Sequence, residues 1–169
     1  MLVPQADGAD NEILVGRYLQ IGIIFYIVFQ LPGLILWSFY MHNTILWFGL
    51  DEEVAAIAQN YTYSILLYGV VEGVNECLLE FLDVVDHEKY STIFSVISAC
   101  IHAGTLIAIA ASGISNMVAI GLVQTLVELI LLFANIIIVV NQGWLDDYWD
   151  GLLKTIGLKV CAGTWYKDF

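Results

Sequence analysis

Three glutamates recur at every fourth position in one largely apolar stretch of the chain, at Glu72, Glu76 and Glu80. Residues spaced by four lie on one face of an α-helix, so the three carboxylates would form one stripe, with Asn75 beside them. Ionisable groups inside a membrane are costly, and they usually face a bundle interior or a water-filled cavity, where they relay protons or cations. The stripe therefore predicts a surface that handles protons or other cations.

The same spacing has a second interpretation, in which the helix is simply long. Glu80, and with it Glu76, would then lie in the aqueous interface beside the acidic segment 83–88. We expect this second interpretation to hold for Glu80. For Glu72 both interpretations remain open.

Two further ionisable residues interrupt apolar runs later in the chain. His102 lies near the middle of the run 91–111, and Glu128 lies inside the run 118–140 with Gln124 one helical turn before it. Histidine changes its charge near neutral pH, so His102 could relay protons, or it could be neutral and bonded to a neighbouring helix. Glu128 is too far from either end of its run to lie in an interface, and a carboxylate there suits proton coupling.

Other kinds of chemistry have no support in the sequence. The three cysteines, at positions 77, 100 and 161, are widely spaced and predict buried thiols rather than a zinc site or a disulfide. The sequence has no Gly-rich phosphate loop, HExxH motif or nucleophile elbow, so we predict neither enzymatic activity nor a bound cofactor. Five Lys and Arg against seventeen Asp and Glu exclude a nucleic-acid partner.

The elements that position these residues must be membrane helices. Hydrophobic residues make up 60% of the chain and charged residues only 13%, whereas an ordinary soluble domain is about a quarter charged. A core this small cannot bury so much apolar surface, so the lipid bilayer must cover the excess. The predicted fold is an all-α polytopic membrane protein with about four transmembrane helices.

Four apolar runs within residues 17–141 approach or exceed the roughly 20 residues that cross a bilayer. The predicted helices of this bundle span approximately residues 18–40, 54–82, 91–111 and 118–140. An acidic segment, 1–16, precedes the bundle, and an amphipathic tail, 142–169, follows it.

The few cations predict the orientation, because Lys and Arg in short flanking segments are retained in the cytoplasm. All five lie before the first predicted helix, between the second and third, or after the fourth. We therefore predict an integral, multi-pass protein with both termini in the cytoplasm, in either the plasma membrane or a vacuolar membrane.

Four segments follow one another in a distinctive order. They are ILWFGLDEEVA at 45–55 with Ala58 and Tyr61 beyond it, NECLLEFLD at 75–83, GISNMVAI at 113–120 and WLDDYWDGLLK at 144–154. In this order they resemble segments of the multidrug and toxic compound extrusion (MATE) transporters. The corresponding family phrases are similar to ILxxLGQDPEVAxLAxxY, NQCLRRYLQAQ, GxxGAAxA and WxGFSxEAFxxL, although acidic residues stand here where the second phrase usually has arginines.

The resemblance covers about residues 18–159 and implies the third to sixth helices of the family's N-terminal lobe. Family members have twelve helices in two lobes and export organic cations and drugs by antiport with protons or sodium, so the resemblance implies a xenobiotic transporter of this type. The resemblance carries over no site residues. The candidates for an ion or substrate pathway rest on their positions alone and are Glu72, Asn75, Glu76, His102, Gln124 and Glu128. Alternating access needs two repeats, which implies a homo-oligomer or a missing second lobe.

A function of another class remains open. The four helices could form a non-transporting membrane module that binds or regulates a partner through its helix faces. Small residues at Gly104, Gly113 and Gly121 could permit the close helix contacts that such binding uses.

Overall fold

A computed structural model describes residues 12–113 and 116–148. Over these residues the chain folds into four α-helices joined by short turns. They are α1 (Glu12–Trp47), α2 (Glu52–Val84), α3 (Glu88–Ala111) and α4 (Met117–Asn141).

Of the described helices, α1, α3 and α4 are long and apolar enough to cross a membrane, judged by length and composition. The helix α2, with 33 residues, is long enough, but acidic and amide side chains interrupt its apolar sequence. It packs against all three other helices, most extensively against α1 and α4, and these contacts bury Asn75 but leave its acidic side chains exposed. The predicted all-α, polytopic fold is confirmed.

The helices are longer than their predicted bounds, and α1 differs most. It begins at Glu12 rather than residue 18, so part of the predicted N-terminal segment 1–16 is helical. A carboxylate in the first turn is favourable because it faces the positive end of the helix dipole. The helix continues past residue 40 to Trp47, with Pro32 inside it, and the chain turns at Gly49, whose φ is +81°.

The start of α4 has a specific cap. The side-chain oxygen of Asn116 accepts hydrogen bonds from the backbone N–H groups of Val118 and Ala119, which satisfies two donors that the helix leaves unpaired. After α4, residues 142–148 form turns, and the remainder of the predicted amphipathic tail, 149–169, lies outside the described residues.

An apolar core lies at the end of the bundle where α2 ends and α3 begins. It joins the first turns of α1 to the ends of α2 and α4. Its buried members are Val15, Leu19, Leu78, Leu79, Phe81, Leu82, Val85, Phe94, Leu131 and Val139. The turn after α4 closes over this core, and the backbone of Tyr148 lies so close to Gly16 that a Cβ atom there would overlap it.

The outer faces of α1, α3 and α4 carry many large apolar side chains, whereas several polar side chains are buried between the helices. On α4, the exposed residues include Leu122, Leu126, Ile130, Phe133 and Ile137, which recur at helical spacing. Such an exposed apolar face suits a lipid surrounding, because lipid tails are as apolar as these side chains.

The described cysteines differ from the prediction of buried thiols. Cys77 is half-buried, but Cys100 is exposed on α3 because that face of the helix is not covered by another helix, so the prediction is wrong for Cys100. Within residues 12–113 and 116–148, no three His, Cys, Asp or Glu side chains are placed to hold a metal ion.

Candidate ion-handling site

A polar cavity of about 190 Å³ lies between α2, α3 and α4, and the candidate residues converge on it. From α2 it is lined by Tyr68, Glu72, Asn75, Glu76 and Leu79, from α3 by Ser95, Ser98, Ala99 and His102, and from α4 by Glu128. Five of the six residues singled out from the sequence therefore line one cavity. The sixth, Gln124, contacts it through His102.

Glu128 is the centre of the site. It is 3% exposed, and both of its carboxylate oxygens have partners. Oε1 accepts a hydrogen bond from Asn75 Nδ2 at 3.2 Å, and Oε2 lies 2.7 Å from His102 Nε2. A buried carboxylate is tolerated when it is paired and hydrogen-bonded, and these two contacts supply both conditions.

His102 is held between two residues of α4. Its Nδ1 lies 3.0 Å from the side-chain oxygen of Gln124, and its Nε2 faces Glu128. A doubly protonated imidazole donates to both oxygens in this arrangement. In the described part of the chain, the buried Nε2 of Gln124 has no hydrogen-bond acceptor. If the Gln124 amide turns over, this nitrogen can donate to the unprotonated Nδ1 of a neutral His102. The site can therefore hold His102 in either charge state.

The acidic stripe of α2 reaches the cavity with two of its three members. Glu72 accepts a hydrogen bond from the Tyr68 hydroxyl at 3.0 Å, and the Tyr68 ring meets the His102 ring edge-on at 6.0 Å between centroids. Glu76 also lines the cavity, and both glutamates have exposed side chains. Glu80 is exposed and is not among the residues that line the cavity, and its position in the aqueous interface stays a prediction.

The register of α4 explains why Glu128 faces inward. The buried residues of this helix are Gly121, Thr125, Glu128, Leu131, Asn135 and Val139, spaced by three or four along one face. Thr125 connects this face to α2, because its hydroxyl donates a hydrogen bond of 3.0 Å to the Ser64 carbonyl. Gly121 lets the backbones approach, since a Cβ atom there would overlap the Ser64 hydroxyl.

Sequence reasoning missed three residues of the polar network. Asn135, which is fully buried, donates to Asn75 Oδ1 at 2.7 Å and accepts from the Tyr90 hydroxyl at 2.9 Å. Tyr68 was missed as the partner of Glu72. A signal for Asn135 existed, because it lies seven residues after Glu128 and therefore on the same helical face.

The cavity suits a small cation or a proton. It is smaller than the roughly 300–1,000 Å³ of pockets that enclose drug-sized ligands. Three carboxylates face it together with His102, so its field favours positive charge.

The fold and this site together define a polytopic membrane protein with an ionisable bundle interior. The family model of MatE matches residues 1–106, which is more than half of the chain, and the chain belongs to the MatE family of membrane transporters. The match includes α1, α2 and His102, and ends before Gln124 and Glu128. None of the curated proteins or solved structures compared with the chain matches it.

Proposed function

We propose that this chain takes part in the export of organic cations by antiport, with the proton as the coupling ion. The observation that carries the proposal is the pair of the buried Glu128 and the half-buried His102, whose facing atoms are 2.7 Å apart in a polar cavity. A carboxylate with a histidine partner offers two groups that exchange protons, and such groups inside membrane bundles mark proton relays. Of the two ions considered from the sequence, the proton is favoured, because a protonated His102 would repel sodium.

Each ionisable residue of the site has a different proposed role in proton coupling. Glu128 binds the coupling proton, and His102 balances its charge when the proton leaves. Glu72 and Glu76 lead from the exposed surface of α2 to the cavity and supply protons to it. Because the cavity is too small for a drug-sized cation, the exported molecule binds elsewhere and competes with the proton through the conformation of the bundle.

The transporting unit contains more than the helices described here. Alternating access works by one repeat rocking against another around a site at the bilayer midplane, and the resemblance to MATE transporters implies that the four helices are part of one such repeat. We propose that a second copy of the chain supplies the other repeat.

Proton release on binding of an organic cation tests the proposal. The purified full chain would be titrated with tetraphenylphosphonium by calorimetry in buffers that differ in ionisation enthalpy. Antiport by this site predicts release of about one proton per bound cation, and almost none from Glu128→Gln, because linkage between the two ligands is reciprocal. The control is Glu53→Gln, at an exposed position in the first turn of α2, which should behave as wild type.

Binding without proton release by the wild-type chain would contradict proton coupling. The same titration in sodium and in choline buffer would then decide whether sodium competes instead. Equal proton release from wild type and from Glu128→Gln would remove Glu128 from the mechanism.

A further inference from the structure

A continuous series of hydrogen bonds leads to Glu128 from the beginning of α3. The Tyr90 hydroxyl donates to Asn135 Oδ1 at 2.9 Å, Asn135 Nδ2 donates to Asn75 Oδ1 at 2.7 Å, and Asn75 Nδ2 donates to Glu128 Oε1 at 3.2 Å. The series passes from α3 to α4, then to α2, and back to α4. We call it the Tyr90–Glu128 chain.

The direction of the Tyr90–Glu128 chain follows from the charge of Glu128. An ionised carboxylate only accepts hydrogen bonds, so the Asn75 amide must turn its nitrogen toward it. The Asn75 oxygen then faces Asn135, which must present its own nitrogen, and the Asn135 oxygen is left for the Tyr90 hydroxyl. Every donor therefore points toward Glu128, and the Tyr90 hydroxyl is three hydrogen bonds away from it.

We propose that Asn75 and Asn135 are positioning residues that transmit the hydrogen bond of the Tyr90 hydroxyl to Glu128, so that α3 sets the pH at which Glu128 takes up a proton. The inference rests on the proposed function for its use, because it is there that Glu128 binds the coupling ion. Its physical basis is independent of transport.

Burial makes the transmission effective. Asn135 is fully buried, and Asn75 and Glu128 are each 3% exposed, so water does not screen the interior of the Tyr90–Glu128 chain. In such surroundings each hydrogen bond polarises the next one and strengthens it. A donor at the far end therefore stabilises the negative charge of Glu128 although it does not touch the carboxylate.

Protonation of Glu128 allows the opposite direction. A protonated carboxyl group can donate to Asn75 if that amide turns over, and Asn135 then turns its nitrogen toward the Tyr90 oxygen. The Tyr90 hydroxyl then accepts a hydrogen bond from Asn135 and no longer donates one to it. The charge of Glu128 and the attachment of Tyr90 are thus linked, and by reciprocity each biases the other.

The helix that carries Tyr90 contacts the bundle through this network as well as through the core residue Phe94. The buried residues of α3 are Ser91 and Phe94, both near its beginning. His102, which contacts Glu128, lies about 18 Å from Tyr90 along the helix axis. Tyr90, at the far end of the Tyr90–Glu128 chain, and His102, which contacts Glu128 directly, therefore both lie on α3. A change in the charge of Glu128 therefore alters polar contacts of α3 at both Tyr90 and His102.

Other titratable groups face the same network and must be distinguished from Glu128. Tyr68, Glu72 and Glu76 of α2 and His102 of α3 line the cavity. From α1, the Tyr26 hydroxyl donates to the carbonyl of Gly69 in α2. At the other end, His87 stacks on Trp144, which in turn contacts the Tyr90 ring. A readout of the whole protein's charge would mix these groups, so the test must isolate Glu128.

Infrared spectroscopy of the full chain in liposomes isolates it. The carboxylic-acid C=O band that is present in wild type and absent in Glu128→Gln is followed against pH. Tyr90→Phe removes one hydroxyl and keeps the ring, and we expect about a threefold to tenfold rise in the proton affinity reported by this band. Asn135→Leu should raise it at least as much. Tyr63→Phe, at an exposed position on α2, is the matched control and should leave it unchanged.

The double variant tests transmission itself. Without Asn135 the Tyr90 hydroxyl has no route to Glu128, so Tyr90→Phe with Asn135→Leu should titrate as Asn135→Leu alone. A midpoint for Tyr90→Phe within about twofold of wild type, or additive shifts in the double variant, would overturn the inference. The band titrates whether or not the chain transports anything, so this failure is distinguishable from failure of the proposed function.

Discussion

At the scale of single residues, Glu128 is stabilised by contacts that come from three helices. His102 of α3 faces one oxygen and Asn75 of α2 donates to the other, while Gln124 of its own helix holds the histidine ring. A carboxylate with 3% exposure needs these partners, because an unpaired buried charge is strongly destabilising.

Replacing His102 tests the pairing. We expect His102→Leu to lower the free energy of unfolding by about 3–5 kcal/mol at a pH where Glu128 is ionised, because the carboxylate stays buried without its partner. Thermal unfolding in a mild detergent measures this effect. The double variant His102→Leu with Glu128→Leu should recover much of the stability, since it removes both groups.

A second histidine pair provides the control. His42 Nε2 lies 3.1 Å from Glu52 Oε1, but the glutamate side chain is 76% exposed. His42→Leu should therefore change the stability by only about 0–1 kcal/mol. An equal loss for the two histidines would mean that burial does not govern the His102 pair.

At the scale of the helices, close packing of α2 against α4 brings Asn75 and Glu128 together. The approach depends on Gly121, which faces Ser64, and the Ser64 hydroxyl is itself fixed by a 2.6 Å hydrogen bond to the Tyr61 carbonyl. The contact between the helices would widen if a side chain stood there.

Gly121→Ala should destabilise the protein by about 1–3 kcal/mol, because its methyl group overlaps Ser64. Gly104→Ala is the matched control on α3, where a Cβ atom meets nothing within 4 Å, and it should leave stability unchanged or slightly raise it. Thermal unfolding compares the two variants. Equal stability for both would contradict the close packing of α2 and α4.

The sequence predicted the helices better than their contacts. Apolar runs revealed where each helix lies, and the spacing of Glu72, Asn75 and Glu76 placed them on neighbouring positions of one helix. Periodicity within a helix does not determine which neighbour its polar face meets, so the bonds from Glu128 to His102 and Asn75 were not predictable. Tyr90 was missed because tyrosine near a helix end is equally expected at a membrane interface.

At the scale of the whole molecule, the described bundle exposes large apolar side chains and buries a polar site beside an apolar core. The MatE match identifies the family from the first three helices, whereas the carboxylate at the centre of the site comes from the fourth. The positions of both termini relative to the membrane stay a prediction from the distribution of Lys and Arg. The organic cation and the coupling ion belong to the proposal.

Proton flux driven by an organic cation tests the central claim most directly. The purified chain would be reconstituted alone in liposomes with a pH-sensitive dye inside, and tetraphenylphosphonium would be added outside. Antiport by this site predicts proton movement that depends on the cation, that is lost in Glu128→Gln and that is kept in Glu53→Gln. Flux that persists at the wild-type rate in Glu128→Gln would contradict the role of Glu128. Absence of flux from a folded and inserted wild-type oligomer would contradict antiport and would favour a non-transporting module.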